Sequence, residues 1–319
     1  MPRDNDQSGA FQRSMGLFKR WTPRSLKPMM TKLGLQRRLM PRFLVLLGMP
    51  FLGLLGGFSP STWAANSGCN QPLYLTLDTG HMGVAPFMAE VLNRQHVKVT
   101  FFVANEPTQE GDGTLGSHWQ SWWQQRALEG HVFASHTMDH VYWLSDAGTS
   151  TQASSAAGVG AEPHFWVKPS AGPQKGQRML WGAKRYCASI KQANDTIKSI
   201  TSKAPLPLFR APGGKTSPAL LAASKACGYM HVGWSDAGFL GDELPSDRYP
   251  SEMLLKRALA HIKSGDILMA HLGIWSRVDP WATSVLEPLI VGLKDKGFCF
   301  KTLDEHPAYA SWVAQHTQP

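Results

Sequence analysis

Beyond residue 72 the chain alternates between two hydrophobic periods. "LYLTL" at 73–77 is a short apolar run, and "VAPFMAEVLNRQ" follows with Val84, Phe87, Met88, Val91 and Leu92 at helical spacing. The same exchange recurs down the chain. The runs "VKVTFFV", "HVFAS", "LPLFR", "YMHVGW", "DILMA" and "FCFKTL" read as strands. Helical stretches near 117–129, 176–201, 217–227, 250–264 and 281–295 separate them. About seven strands joined through helices predict a parallel sheet, open or closed into a barrel, in one α/β domain over 65–319. Two polar interruptions, 105–116 and the Ser/Ala/Gly/Pro-rich 144–175 around "PHFWVKP", are expected to be loops inserted in that domain.

The first 64 residues have a different pattern. A basic stretch runs into the apolar "FLVLLGMPFLGLLGGF" at 43–58, then "SPSTWAAN". Positive region, apolar segment and small-residue exit describe a signal peptide, with Thr62 and Ala64 before the cut and Ala65 as the mature start. An uncleaved anchor is the alternative, although the segment is shorter than the roughly 20 residues that span a bilayer. Translation from Met29 or Met30 and twin-arginine export through Arg37-Arg38 stay open. The domain beyond is expected to be periplasmic or secreted and to meet membrane only through this segment.

Charge changes the picture less than its total suggests. The chain carries a formal +9, but ten of its 32 Lys/Arg and two of its 23 Asp/Glu lie in 1–64. The remaining 22 and 21 nearly cancel, so no nucleic-acid partner is indicated. All four cysteines lie beyond the leader, and an even number in an exported chain favours disulfides. The expected pairs are Cys69 with Cys299, which a closing barrel brings together, and Cys187 with Cys227, on helices flanking the fourth strand.

The chemistry collects at strand ends. Asp78 ends the first strand, His136 the third, Arg210 the fourth, Asp236 follows the fifth and His271 ends the sixth. In a parallel barrel those ends share one face, where such enzymes place their sites. In "SHTMDH", His136 and His140 stand four apart, suited to meeting one metal ion, which needs at least one further protein ligand.

Read in order, "TLDTG" (76–80), "SHTMDH" (135–140), "FRAPGG" (209–214), "GWSD" (233–236) and "ILMAH" (267–271) resemble the polysaccharide deacetylases of the NodB-homology type, carbohydrate esterases on a distorted (β/α) barrel. The resemblance implies that Asp78 is the general base, His136 and His140 metal ligands, Arg210 the residue that orients the base, and His271 the acid. It implies Asp236 as the acid's partner, with Asp242 the alternative. It also implies a divalent metal, expected to be zinc, and removal of N-acetyl groups from an N-acetylated glycan. The family motif carries a second Asp as metal ligand where this chain has Thr79. His81, two residues on, is the expected replacement, with Asp139 a weaker one. Thr79, Pro212, Gly213 and Trp234 are expected at the substrate, with Trp143, Trp166 and Trp275 stacking on sugar rings. Removal of O-acetyl groups, or glycan binding without catalysis because of Thr79, are the alternatives.

Overall fold

The computed structural model describes residues 68–149 and 162–317. The leader and the expected cleavage point lie outside the described residues. Ten strands follow in chain order: β1 Pro72–Asp78, β2 Thr100–Val103, β3 Val132–Ser135, β4 Val141–Thr149, β5 Pro163–Pro169, β6 Met179–Gly182, β7 Leu208–Phe209, β8 Met230–His231, β9 Ile267–His271 and β10 Cys299–Phe300. The helices are α1 Ala85–Arg94, α2 Gln120–Leu128, α3 Ala183–Thr201, α4 Pro218–Ala226, α5 Ser251–His261, α6 Trp281–Asp295 and α7 Ala310–His316.

Seven parallel strands form the main sheet in the order β10-β1-β2-β3-β7-β8, with β9 also paired to β1. This is the expected distorted barrel. β1 sits at its centre, and every residue after Pro72 is buried. That accounts for the unbroken apolar run, because a strand covered on both faces has no solvent side to alternate with. The isolated pairing of Phe239 with Met269 carries the segment after β8 back to β9. The core joins β1 and β2 to α1, α2, α5 and α6 through side chains such as Leu75, Phe101, Trp123 and Leu286. Each large apolar side chain fully buried there contributes about 1.5–3 kcal/mol.

The insertion at 144–175 is not a loop as expected. β4, β5 and β6 form a separate three-stranded antiparallel sheet spanning much of it. In β5 the alternating burial of Phe165, Val167 and Pro169 reveals a period of two, which the surrounding Ser, Gly and Pro concealed. Its buried face packs with Tyr186 and Ile190 of α3, Phe209 of β7 and Leu220 of α4. The 105–116 segment does lack strands and helices, beyond one bridge between Pro107 and Gly113. Both disulfides form as expected, Cys69–Cys299 beside the β1–β10 pairing and Cys187–Cys227 between α3 and the end of α4.

Candidate active site

Register places the chemistry. β1 and β9 pair with Asp78 opposite His271, so two titratable side chains end neighbouring strands at one level. On the other side of β1, β2 pairs with β3, and β3 in turn meets β7 at Ser135 and Phe209. His136 and Arg210 therefore leave their strands side by side at the same rim.

Arg210 is completely buried and fixes that rim. Its guanidinium donates to Asp78 Oδ1 at 2.6 Å and Thr76 Oγ1 at 2.9 Å. It also donates to the carbonyls of Val232 at 3.2 Å and Gly233 at 3.0 Å. Burial opposes ionisation of Asp78, but Arg210, with His136 and His271, more than offsets this and holds its carboxyl below the usual range.

The two histidines four apart lie on a tight turn rather than a helix. Thr137 and His140 adopt positive φ values of 63° and 47°, and the Thr137 hydroxyl accepts the Val141 N–H at 2.7 Å. Such non-glycine outliers cost energy that the surroundings must offset, and they cluster at functional sites. The turn sets the rings 4.8 Å apart. His136 Nδ1 meets the Arg210 carbonyl at 2.9 Å, which requires the proton on Nδ1 and leaves Nε2 bare. His140 Nδ1 lies 2.6 Å from Ser170 Oγ, whose own proton goes to the His140 carbonyl at 3.2 Å. Ser170 thus accepts from Nδ1, and Nε2 of His140 is bare as well. The antiparallel sheet makes this possible, since β4 pairs Val141 with Pro169 and so sets Ser170 beside His140. Burial, partly opposed by Asp78, pushes His136 down to about 4, so its ring is neutral at ordinary pH.

His271 is treated in the opposite way. Burial alone would lower it, but the Asp242 carboxylate, hydrogen-bonded to its Nδ1 at 3.1 Å, raises it to about 10, aided by Asp78 and Glu243. Asp242 also accepts the His271 backbone N–H at 2.7 Å. Asp242, not Asp236, is therefore the carboxylate partner of His271. Asp236 is exposed on a single 3₁₀ turn, whereas the Phe239–Met269 bridge delivers Asp242 to β9.

Asp78, His136, His140 and His271 open onto one cleft of about 640 Å³, together with Gly213, Trp234 and Trp275. Sequence reasoning missed Glu106, Tyr142, Ser170 and Lys175, which also line it. Glu106 stands three residues past β2, a rim position that was legible but submerged in a polar loop. Gly213 has a φ of 65°, and a Cβ there would meet the Tyr142 ring at 3.0 Å. Pro212 is buried beside it. Thr79 is buried, bonded to Glu106 at 2.7 Å, and does not line the cleft. Nor do Trp143 and Trp166. Trp143 donates to Asp146 at 3.1 Å, and Trp166 lies under the Arg178 guanidinium at 4.5 Å.

The structure does not bring His81 to the histidine pair. Gly80 runs so close to the Gly273 backbone that no side chain fits between them, and the His81 N–H bonds the Gly273 carbonyl at 3.0 Å. The ring turns towards Trp275, its Nδ1 accepts the Gly83 N–H at 3.0 Å, and it lines a neighbouring cleft of about 220 Å³ beside His271 and Asp242. Asp139 packs against the backbone of Gly172, outside the cleft.

A carboxylate held ionised and an imidazole held protonated, ending neighbouring strands at one rim, are the kind of pair that acid–base hydrolysis uses. The profile of the polysaccharide deacetylase family matches residues 65–232, and the chain belongs to that family. It is 23% identical over 239 residues to the peptidoglycan-N-acetylmuramic acid deacetylase PdaA of Bacillus subtilis, covering 74% of this chain and 71% of that protein. It is 24% identical to a peptidoglycan-N-acetylglucosamine deacetylase of Bacillus cereus, over 69% of this chain and 80% of that one. Among solved structures, a CE4 domain of a xylanase from the hindgut metagenome of Trinervitermes trinervoides superposes with a TM-score of 0.53 at 18% identity, covering 76% and 91% of the two chains. A family 4 acetyl xylan esterase of Clostridium thermocellum, in complex with cobalt, superposes at 0.52 and 18% identity over 78% and 100%. These share the fold.

Proposed function

We propose that this deacetylase is exported and removes acetyl groups from the amide nitrogens of an N-acetylated glycan of the peptidoglycan type, with the aid of a divalent metal ion. The observation that carries the chemistry is the pairing of Asp78 and His271 across β1 and β9, one kept ionised by Arg210 and the other protonated by Asp242. An amide is a poor electrophile with a poor leaving group, so its hydrolysis needs a base and an acid at once. Asp78 takes the proton from the attacking water, and Arg210 keeps its Oδ1 fixed. His271 gives a proton to the departing amine nitrogen, and Asp242 holds the ring in place through Nδ1.

The donor chemistry of the other wall fits a metal. His136 and His140 both have Nδ1 engaged and Nε2 bare, and His136 is held neutral, as an imidazole ligand must be. These two would hold the ion, which when bound supplies Lewis acidity at the acetyl carbonyl. Zinc suits the nitrogen donors. The peptidoglycan deacetylases similar to this chain support the glycan, and the apolar leader with two disulfides supports export.

Acetate release from N-acetylglucosamine oligomers and peptidoglycan, measured with chelated and zinc-supplied protein, tests this. Zinc-dependent release from the N-acetylated substrates is expected. Release from O-acetylated xylan alone would reassign the site to esters, and release from neither would leave a glycan-binding protein.

A further inference from the structure

The site as described has two bare imidazole nitrogens and no third ligand. A catalytic zinc centre ordinarily takes three protein donors. Two neutral rings alone also leave the ion's charge without any direct compensation. Among the described residues no three His, Cys, Asp or Glu side chains are yet drawn together tightly enough to hold an ion. The missing donor must therefore come from a side chain that lies near the rings and is able to turn.

We propose that Glu106, on the loop after β2, is the third metal ligand of this chain, presented by the hydroxyl of Thr79. This rests on the metal-assisted reading above and specifies its metal site. Strand order gives the first reason. β2 lies between β1 and β3, so a residue just past its end falls between Thr79 on one side and the His136–His140 turn on the other. Glu106 lines the cleft with both rings, and its Oε1 is 3.9 Å from His140 Nδ1.

The Thr79 hydroxyl gives the second reason. It accepts the Ala104 N–H at 3.1 Å and sends its single proton to Glu106 Oε2 at 2.7 Å. One carboxylate oxygen is thereby held, and the other, nearest His140 Nδ1, is left for a turn of the side chain to bring to the Nε2 side. Ligating carboxylates are themselves hydrogen-bonded in this way.

The backbone gives the third. Asn105 donates its N–H to the Met138 carbonyl at 2.7 Å, which ties the neighbour of Glu106 to the histidine turn itself. The Asn105 side chain accepts the Leu115 N–H at 3.0 Å, and the Glu106 carbonyl accepts the Thr114 N–H at 2.9 Å. Buried Trp123 then donates to the Thr114 carbonyl at 2.7 Å. The loop is pinned to the core and to the site at once, and only the Glu106 side chain has to swing about its own torsions to close the set.

Other carboxylates of the cleft fit less well. Asp78 is committed to Arg210 and to base chemistry, and Glu243 stands with Asp242 and His271 on the opposite wall. A plain ion pair with His140 would leave Glu106 in the same place, so the test has to read the metal.

Zinc binding to the purified chain, by titration calorimetry and by chelator competition, supplies that reading, together with the visible spectrum of the cobalt-loaded protein. Glu106→Gln keeps the size of the side chain and the Thr79 contact. It is expected to weaken zinc by more than the roughly 10–100-fold that outer partners of a metal site cost, and to change the cobalt spectrum. Glu243→Gln, which removes the same charge from the other wall, should leave affinity within a few fold. Thermal unfolding of the metal-free variants checks that each is folded, and Glu106→Asp serves if Glu106→Gln is not. Zinc affinity within a few fold of the parent in Glu106→Gln, with an unchanged cobalt spectrum, overturns Glu106 as ligand and leaves the deacetylase reading intact. A parent that binds zinc through Glu106 but releases no acetate does the reverse. A parent that binds no zinc overturns both.

Discussion

His136 and His271 line one cleft, the first buried and the second slightly more exposed, and the protein sends their protons in opposite directions. Burial penalises a cationic ring at both positions. At His271 the Asp242 carboxylate has, among the described residues, no Lys or Arg in contact, so it overrides burial and keeps the proton on up to about pH 10. At His136 the nearby carboxylate is Asp78, 3.6 Å from Nε2, but Arg210 already satisfies it at 2.6 Å. Burial then wins and the ring is neutral above about pH 4. A free carboxylate makes an acid of its histidine, whereas a carboxylate shared with arginine leaves its histidine a lone-pair donor. The cleft accordingly has an acid wall on β9 and a donor wall on β3, with Asp78 between them.

The largest break in that contrast comes from Arg210. Arg210→Met leaves a buried, unpaired carboxylate, and denaturant unfolding should show a loss of about 3–5 kcal/mol along with lost activity. A loss well under that would mean Asp78 is not held as an ion. Asp78→Asn is gentler on the fold but removes the proposed base, so kcat should drop roughly 10²–10⁴-fold while zinc affinity stays. Were zinc lost as well, Asp78 would belong to the donor wall.

Asp242 is the corresponding lever on the acid wall. In the proposed reaction His271 works while protonated, so activity should fall as pH rises through about 10 in the parent. Asp242→Asn should bring that limb down towards the ordinary histidine value of about 6.5. The same proton is linked to stability. A folded-state pKa above the unfolded one contributes stability that is complete below about pH 6.5 and is lost as pH climbs to about 10. Unfolding free energy measured across that window should slope downward in the parent and run flatter in His271→Gln. An alkaline limb that does not move in Asp242→Asn would show that something other than Asp242 charges His271.

Strand ends and loops were not equally legible in the sequence. Asp78, His136, Arg210 and His271 could be placed because a parallel sheet puts every strand end at one rim, whatever the loops do. Residues on the loops depended on bonds no local pattern encodes. His81 sits only three past Asp78, yet the close passage of Gly80 against Gly273 turns it to the far side of the acid wall. Asp242 overtook Asp236 because a single backbone bridge, Phe239 to Met269, decides which acidic residue reaches β9. Glu106 was hidden for the same reason, since its significance lies in a hydrogen bond to a threonine 27 residues earlier. The antiparallel sheet β4–β6 was lost among Pro, Ser and Gly, and Ser170, which orients His140, was lost with it.

The smallest expected effect sharpens where the sugar lies. Trp275 is 64% exposed, lines the cleft on the acid wall, and meets His81 edge-on at 4.9 Å. An indole this exposed and held against one neighbour is suited to stacking, worth about 0.5–1.5 kcal/mol. Because such contact is made equally in ground and transition states, its loss acts on KM and not on kcat. Trp275→Ala should therefore raise KM for an oligosaccharide roughly two- to twelvefold with kcat little changed. Trp166→Ala removes an indole of the same size that lies under Arg178 outside the cleft, and steady-state kinetics should register neither change. If Trp166→Ala carries the KM effect and Trp275→Ala does not, the glycan runs over the antiparallel sheet, and the donor wall holds the sugar as well as the metal.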